Sequence, residues 1–316
     1  MRSMLIFGLI LMTGPAFALT PEEIETAIYD GAEVPEGQSG LMVRLQVLLD
    51  RAGISPGVVD GYKGDMSESA LRGFEERHGL LIDGILDAET WSMLHGNDAV
   101  PVLMTYTVSS EDTLDLTETI PDNVAEKAKL EKLGYLRVTE RLAERFHMDE
   151  DFLIALNPAA SFDAGEEIWV ASPGDKLETE VKRIEIRKSE RRAVAFDAEG
   201  RMVSNYPVAI GSAATPSPEG LVEVVAIAID PTYSYLPDTN FVVDGVTESL
   251  ILPAGPNGPV GSVWIDLSKP TYGLHGTDTP AGLFQVVSRG CVRFTNWDVE
   301  ELAQLVKPGV TVEFLE

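Results

Sequence analysis

One cysteine, Cys291, occurs in 316 residues, so the chain can form no internal disulfide. Base is also scarce: 24 lysines and arginines stand against 51 acidic residues, a net charge of −27. That balance argues against nucleic acid as a partner, because binding it depends on neutralising phosphates with Lys and Arg. The acid excess reads as solubility or a salty habitat. Past the N-terminal segment, no run approaches the roughly 20 apolar residues that span a bilayer. Only four histidines are present, and a metal site needs clustered ligands, so neither a metal nor another cofactor is expected. Fixed-period repeats, low-complexity tracts and phosphate-cradling glycine loops are missing as well.

What is present starts with MRSMLIFGLILMTGPAFALT. Arg2 gives a positive n-region, Leu5 to Met12 an apolar stretch, and Ala16-Phe17-Ala18 a small-residue cleavage signal. Residues 1–18 therefore read as a signal peptide cut after Ala18, and the protein as exported. No cysteine follows the cleavage site to carry a lipid anchor. In an oxidising compartment a lone thiol is a liability unless buried or used. Cys291 is thus either a candidate nucleophile or a small buried hydrophobe.

The mature length predicts two or three units, and three are delimited by Gly/Pro-rich punctuation at 31–40, 95–101 and 171–176. In the first, residues 38–96, LMVRLQVLLDRAG places Leu41, Leu45, Leu48, Leu49 and Ala52 on one helical face, with Gly53 as its stop. A second helix begins at a Ser67 cap and buries Ala70, Leu71 and Phe74; a third is capped by Asp87. Asp60-Gly61, Gly64, Phe74, Asp83-Gly84 and Thr90-Trp91 make this unit resemble the helical peptidoglycan-binding module. In the second, residues 104–172, YTVSSEDT at 106–113 and the stretch 138–172 resemble the two halves of a LysM module. That family folds as βααβ and binds N-acetylglucosamine chains. Residues 114–137 form an insertion that the family does not normally carry, which puts sugar binding in doubt. His78 and His95 lie near helix ends and read as structural or solvated, and His147 reads as a solvated helix-end residue.

The third unit, residues 177–316, reads as strands. KRIEIR alternates, RRAVAFDAEGRMVSNYPVAIG turns at Asp197 to Gly200, and LVEVVAIAI reads as a buried strand. TNWDVEELAQLVKPG is a helix opened by a Thr295…Asp298 capping box and stopped at Pro308-Gly309, and VTVEFL closes the chain. The fold class is multidomain α+β: a three-helix module, a βααβ module with an insertion, and a mostly-β domain with a helix near its C-terminus.

Thiol chemistry at neutral pH needs help, because a free thiol titrates near pH 8.5. The usual helper is a histidine, and His275 alone shares a unit with Cys291, in YGLHGTDTPAGLFQVVSRGCVRF. Adjacent strand ends joined by the loop between them would bring the two side chains together. Gly290 lets a backbone approach closely, and neighbouring N–H groups could form an oxyanion hole. Arg289 and Arg293 add positive potential wherever either points inward.

YGLHGT…SRGCVR, with YPVAIGSAATPSPEG and LPAGPNGPVG upstream, resembles the YkuD-type L,D-transpeptidase catalytic domain. The resemblance implies Cys291 as nucleophile, His275 as general base, and Gly276 as donor of the carbonyl that orients the imidazole. It also implies Ser288, Gly290, Arg293 and Tyr272 as residues that shape the site. Many members carry a second histidine where this chain has Arg289, which leaves His275 the only base on offer. The implied activity is periplasmic and wall-associated. Cys291 would attack tetrapeptide stems of peptidoglycan between the diamino acid and the terminal D-Ala. The thioester would then pass to a stem amine, to a lysine of a lipoprotein or outer-membrane protein, or to water, as in L,D-carboxypeptidase or amidase trimming. The remaining reading is a catalytically dead wall-binding scaffold.

Overall fold

The computed structural model describes residues 19–237 and 246–316; the expected signal peptide lies outside the described residues. Helix α1 (Pro21–Glu25) is closed by a Thr20–Glu23 capping box. It packs against α2 (Gly40–Arg51), with Ile24 fully buried. Ile24 joins the core of α2, α3 (Asp65–His78) and α4 (Ala88–Met93), so α1 packs onto the first unit from ahead of its expected start at residue 38. Ser67 is not the cap of α3. Extended backbone at Gly64 starts the helix earlier, and buried Ser67 Oγ accepts from Gln46 Nε2 at 3.1 Å. Asp87 caps α4, accepting from the Thr90 N–H at 2.8 Å.

The second unit runs β1 (Leu103–Thr107), α5 (Val124–Lys127), α6 (Val138–Arg145), α7 (Glu150–Leu156) and β2 (Glu167–Ala171). β1 and β2 pair antiparallel, from Leu103 opposite Ala171 to Thr107 opposite Glu167. β1 ends at Thr107, where Asp112 gathers the Ser109 N–H and the Tyr106 hydroxyl into a tight turn. Leu142, Phe152 and Leu156 share one apolar core with Leu45 and Phe74, so the first two units pack as one body. Inserted residues Val124 and Leu133 instead pack on Tyr235 and Leu252 of the third unit.

The third unit opens with β3 (Arg183–Arg187), β4 (Arg192–Phe196), β5 (Met202–Pro207) and β6 (Gly220–Ile229). The hairpin β7 (Tyr233–Tyr235) and β8 (Leu250–Leu252) stands apart from the main sheet. Then come β9 (Val263–Leu267), β10 (Gly273–His275), β11 (Val292–Arg293), α8 (Asn296–Leu305) and β12 (Thr311–Leu315). Eight strands form one mixed sheet in the order β11-β10-β9-β6-β12-β3-β4-β5. The terminal strand β12 lies mid-sheet, parallel to β3 and antiparallel to β6.

α8 packs near β9 and β10, and its Val299, Leu302 and Leu305 join the sheet's core. The capping box at its start is half made. Thr295 Oγ accepts from the Asp298 N–H at 3.1 Å, but the Asp298 carboxylate accepts from the Ser55 hydroxyl at 3.0 Å. β6 is not buried throughout: Val222 and Val224 face the core, whereas Leu221 and Ile229 are 67% and 65% exposed. A sheet with antiparallel pairs can leave one face uncovered, and only the other face of β6 meets the core.

Candidate active site

Strand pairing brings His275 and Cys291 to neighbouring places on the backbone. β10 runs parallel to β11, with Leu274 opposite Val292 and His275 opposite Arg293. Side chains alternate along a strand, so His275, Arg293 and Cys291, which immediately precedes β11, share a side. The cysteine turn is gripped from outside by residues leaving β5. Ala209 and Arg293 exchange both backbone hydrogen bonds at 2.9 Å, and the Ser288 N–H donates to the Ile210 carbonyl at 2.8 Å. The YPVAIG run therefore serves as a brace for the thiol.

Within the turn, buried Ser288 Oγ donates to the Cys291 carbonyl and accepts from the Gly290 N–H at 3.1 Å. The Gly290 amide is thereby used inside the turn, which narrows its expected oxyanion role. Glycine is required there twice over: φ is +115°, and a Cβ would sit 2.7 Å from the Tyr272 ring. Tyr272 itself reaches the Pro216 carbonyl with its hydroxyl at 3.5 Å. The Cys291 thiol faces the Thr271 carbonyl at 3.7 Å.

The imidazole is held on two sides. His275 Nδ1 lies 2.7 Å from the Gly276 carbonyl, which makes Nδ1 the protonated nitrogen and leaves Nε2 with a lone pair. Its ring stacks on Trp264, its cross-strand partner on β9, at 5.6 Å and 19°. Burial lowers the His275 pKa to about 4; the Gly276 hydrogen bond raises it, and the Arg293 charge lowers it further. Burial pushes the Cys291 thiol up, opposed by a hydrogen bond from Gly273 and by Arg293. The resting pair is accordingly a neutral thiol and a neutral imidazole. Among the described residues, Arg293 is the charge that shifts both groups, whereas Arg289 is exposed.

The other histidines lie elsewhere. His78 packs on Phe74 with ring centres 4.3 Å apart, and His95 is exposed beside Asp98 at 3.3 Å. His147 is not solvated as its helix-end position suggests. With φ at +57° it turns inward, bonds Asp50 at 2.9 Å and stacks on Trp297 at 5.4 Å. It lines a cavity of about 570 Å³ where the three units meet. Among the described residues, no group of three or more His, Cys, Asp or Glu is arranged to hold a metal.

Sequence reasoning missed Trp264 and Asn296. Trp264 carried a signal, two residues before Asp266 on an alternating strand, but its partner depended on register. Asn296 hid beside the helix cap Thr295. Its Nδ2 donates to Glu144 of α6 and to the Pro256 carbonyl, while its Oδ1 accepts from the Ser262 N–H.

Residues 181–314 match the model of the L,D-transpeptidase catalytic domain, YkuD, and residues 38–94 that of a putative peptidoglycan binding domain. The putative L,D-transpeptidase YkuD of Bacillus licheniformis is 32% identical over 177 residues, covering 55% of this chain and 90% of that protein. The probable L,D-transpeptidase ErfK/SrfK of Escherichia coli is 26% identical over 183 residues, 56% of this chain and 59% of its own. An L,D-transpeptidase structure from Xylanimonas cellulosilytica aligns over 90% of this chain and 95% of its own, at 14% identity and a TM-score of 0.39.

Proposed function

This chain belongs to the L,D-transpeptidases with a YkuD catalytic domain, and we propose that it is an exported enzyme that cuts and rejoins peptidoglycan stem peptides through a Cys291 thioester. The observation that carries this reading is the neighbouring placement of His275 and Cys291 on paired parallel strand ends, with Nδ1 of the imidazole held by a backbone carbonyl.

Because the resting pair is neutral, proton transfer accompanies attack. His275 Nε2 takes the thiol proton as sulfur adds to the carbonyl between the diamino acid and the terminal D-Ala. The oxyanion is assigned to the amide of Cys291, since that of Gly290 is engaged with Ser288. Collapse breaks the C–N bond, and His275 returns the proton to the departing D-Ala amine. An incoming amine loses its proton to His275 and displaces the thiolate, which is reprotonated. A stem amine gives a cross-link, a lysine of a lipoprotein or outer-membrane protein gives an anchor, and water gives trimming.

The first unit supports retention on the wall, through its match to a peptidoglycan binding domain. Outside its insertion, which carries α5 and packs on the catalytic domain, the second unit runs strand, two helices, strand. We assign it a scaffolding role rather than glycan reading.

The test is digestion of purified peptidoglycan by wild type and Cys291→Ala, with products identified by mass spectrometry. Shortened cross-linked dimers, free D-Ala alone, or a muropeptide bearing a lipoprotein peptide would each identify one acceptor, and all should vanish in the variant. Product formed by Cys291→Ala would overturn the thioester.

A further inference from the structure

The second unit reaches the catalytic centre through Glu144, on α6. Both carboxylate oxygens accept from Asn296 Nδ2, at 3.2 and 3.0 Å, and the Tyr135 hydroxyl donates to one of them at 3.1 Å. Glu144 is 8% exposed and Asn296 1%. The Pro256 carbonyl also accepts from Asn296 Nδ2, at 3.2 Å. The amide nitrogen thus sits among acceptors, which fixes the orientation of the carboxamide. Its Oδ1 is turned the other way, toward the Ser262 N–H at 3.2 Å and toward Gly276. The fit is close: a Cβ on Gly276 would lie 2.0 Å from that oxygen. Gly276 is the residue whose carbonyl takes His275 Nδ1–H, and its own N–H is tied to the Val260 carbonyl at 3.1 Å.

We propose that Glu144 is a positioning residue for His275, acting across the unit boundary by orienting the Asn296 carboxamide against Gly276. Glu144 touches neither the thiol nor the imidazole. Its effect is to keep the Gly276 peptide in the one orientation that holds the imidazole as its Nδ1–H tautomer, with Nε2 available as base. Without an acceptor at 144, the carboxamide can turn its NH₂ toward Gly276, where the Ser262 N–H needs an oxygen. Neighbouring contacts join the same two units. The Leu133 N–H donates to the Ala254 carbonyl at 2.8 Å, and Asn257 Nδ2 reaches Glu140 at 2.6 Å. These come from the insertion and from Glu140 of α6, and they grip the stretch before β9 whose Pro256 carbonyl also accepts from Asn296. Burial pushes the Glu144 carboxyl up to about 8, opposed by its bonds to Asn296 and Tyr135. In either protonation state one oxygen still accepts from Asn296, so a carboxamide at this position should serve.

The inference rests on His275 being the base, and its test separates the two ideas. The first measurement is ¹⁵N NMR of the histidine side chains in the full chain without substrate, for wild type, Glu144→Gln and Glu144→Ala. Wild type and Glu144→Gln should show His275 as a single Nδ1–H tautomer, and Glu144→Ala a mixture. The second is turnover of a disaccharide tetrapeptide. kcat should fall about 10- to 100-fold in Glu144→Ala, the cost of a misplaced catalytic group, with KM nearly unchanged and Glu144→Gln within about threefold of wild type. Glu144→Met, of similar length, replaces the alanine variant if that one does not fold. A wild-type tautomer and kcat in the Ala or Met variant would overturn the proposal, as would a Gln variant no better than they are. Loss of the base reading would appear separately, as a His275→Ala variant that keeps its turnover.

Discussion

At Cys291 and His275, burial moves the two pKa values away from the ion pair that a cysteine–histidine couple suggests on paper. The thiol is raised and the imidazole lowered to about 4, so neither is charged near neutrality. Turnover should therefore persist into mild acid, with its lower limb near pH 4, because the base stays unprotonated down to that point. Iodoacetamide labelling should rise only above the ordinary thiol range, about pH 8.5. Arg293 favours the thiolate and opposes the imidazolium, so Arg293→Leu should move both limbs to higher pH, whereas Arg289→Leu should move neither. The measurements are a pH–kcat/KM profile and a pH–alkylation profile. Limbs that stay in place in Arg293→Leu would mean that solvent screens its charge. Both arginines flank the cysteine in sequence, and only the pairing of His275 with Arg293 decides which one faces the site.

At the scale of elements, the outer strand β5 has its edge covered by the first unit. The Ser55 N–H donates to the Asn205 carbonyl and the Asn205 N–H to the Gly53 carbonyl, each at 2.9 Å. Arg192 of β4 locks the joint with bonds to Asn205 Oδ1 at 2.6 Å, the Asn205 carbonyl at 2.7 Å and the Ser55 carbonyl at 3.0 Å. Burial lowers its pKa to about 9, a sign of how costly its charge is without a direct carboxylate partner. Arg192→Met should take the donor from the buried Ser55 carbonyl and Asn205 Oδ1, leaving the Asn205 carbonyl only the Ser55 N–H, and cost about 2–4 kcal/mol, the scale of losing several charge-assisted bonds. Urea unfolding checks it; a change under about 0.5 kcal/mol, the size of an ordinary surface substitution, would show that the joint relaxes. No pattern in RRAVAF distinguishes Arg192 from Arg191, because both readings alternate equally well. Which one turned inward depended on what lay against the sheet.

For the whole molecule, three separable modules joined by linkers would allow the catalytic domain to work alone. The linkers are there, yet the joints are not loose. Besides β5, bidentate Arg187–Glu76 bonds, at 2.6 and 2.9 Å, tie β3 to α3, and Glu144 reaches Asn296. A chain of residues 177–316 should therefore unfold at a markedly lower temperature than the full protein. It should also react more slowly with a thiol-acylating carbapenem, because the β5 edge is uncovered and Asn296 has lost Glu144. Differential scanning calorimetry and intact-mass acylation rates check this. Equal rates and equal Tm would restore the picture of a catalytic domain on a tether.

The sequence by itself determined the parts that depend on local chemistry. Strand alternation, the Asp87 cap, the hairpin at Asp197 and the lone thiol with one histidine in its unit follow from neighbours along the chain. Ser67, His147 and the exposed face of β6 did not follow, because their environments come from α2, α8 and an uncovered side of the sheet. The charge state of the site was likewise decided only by the tertiary structure. A pKa in a protein is set by burial and by charges arriving from elsewhere in the chain, and Arg293 and Trp264 reach His275 only once the strands have paired.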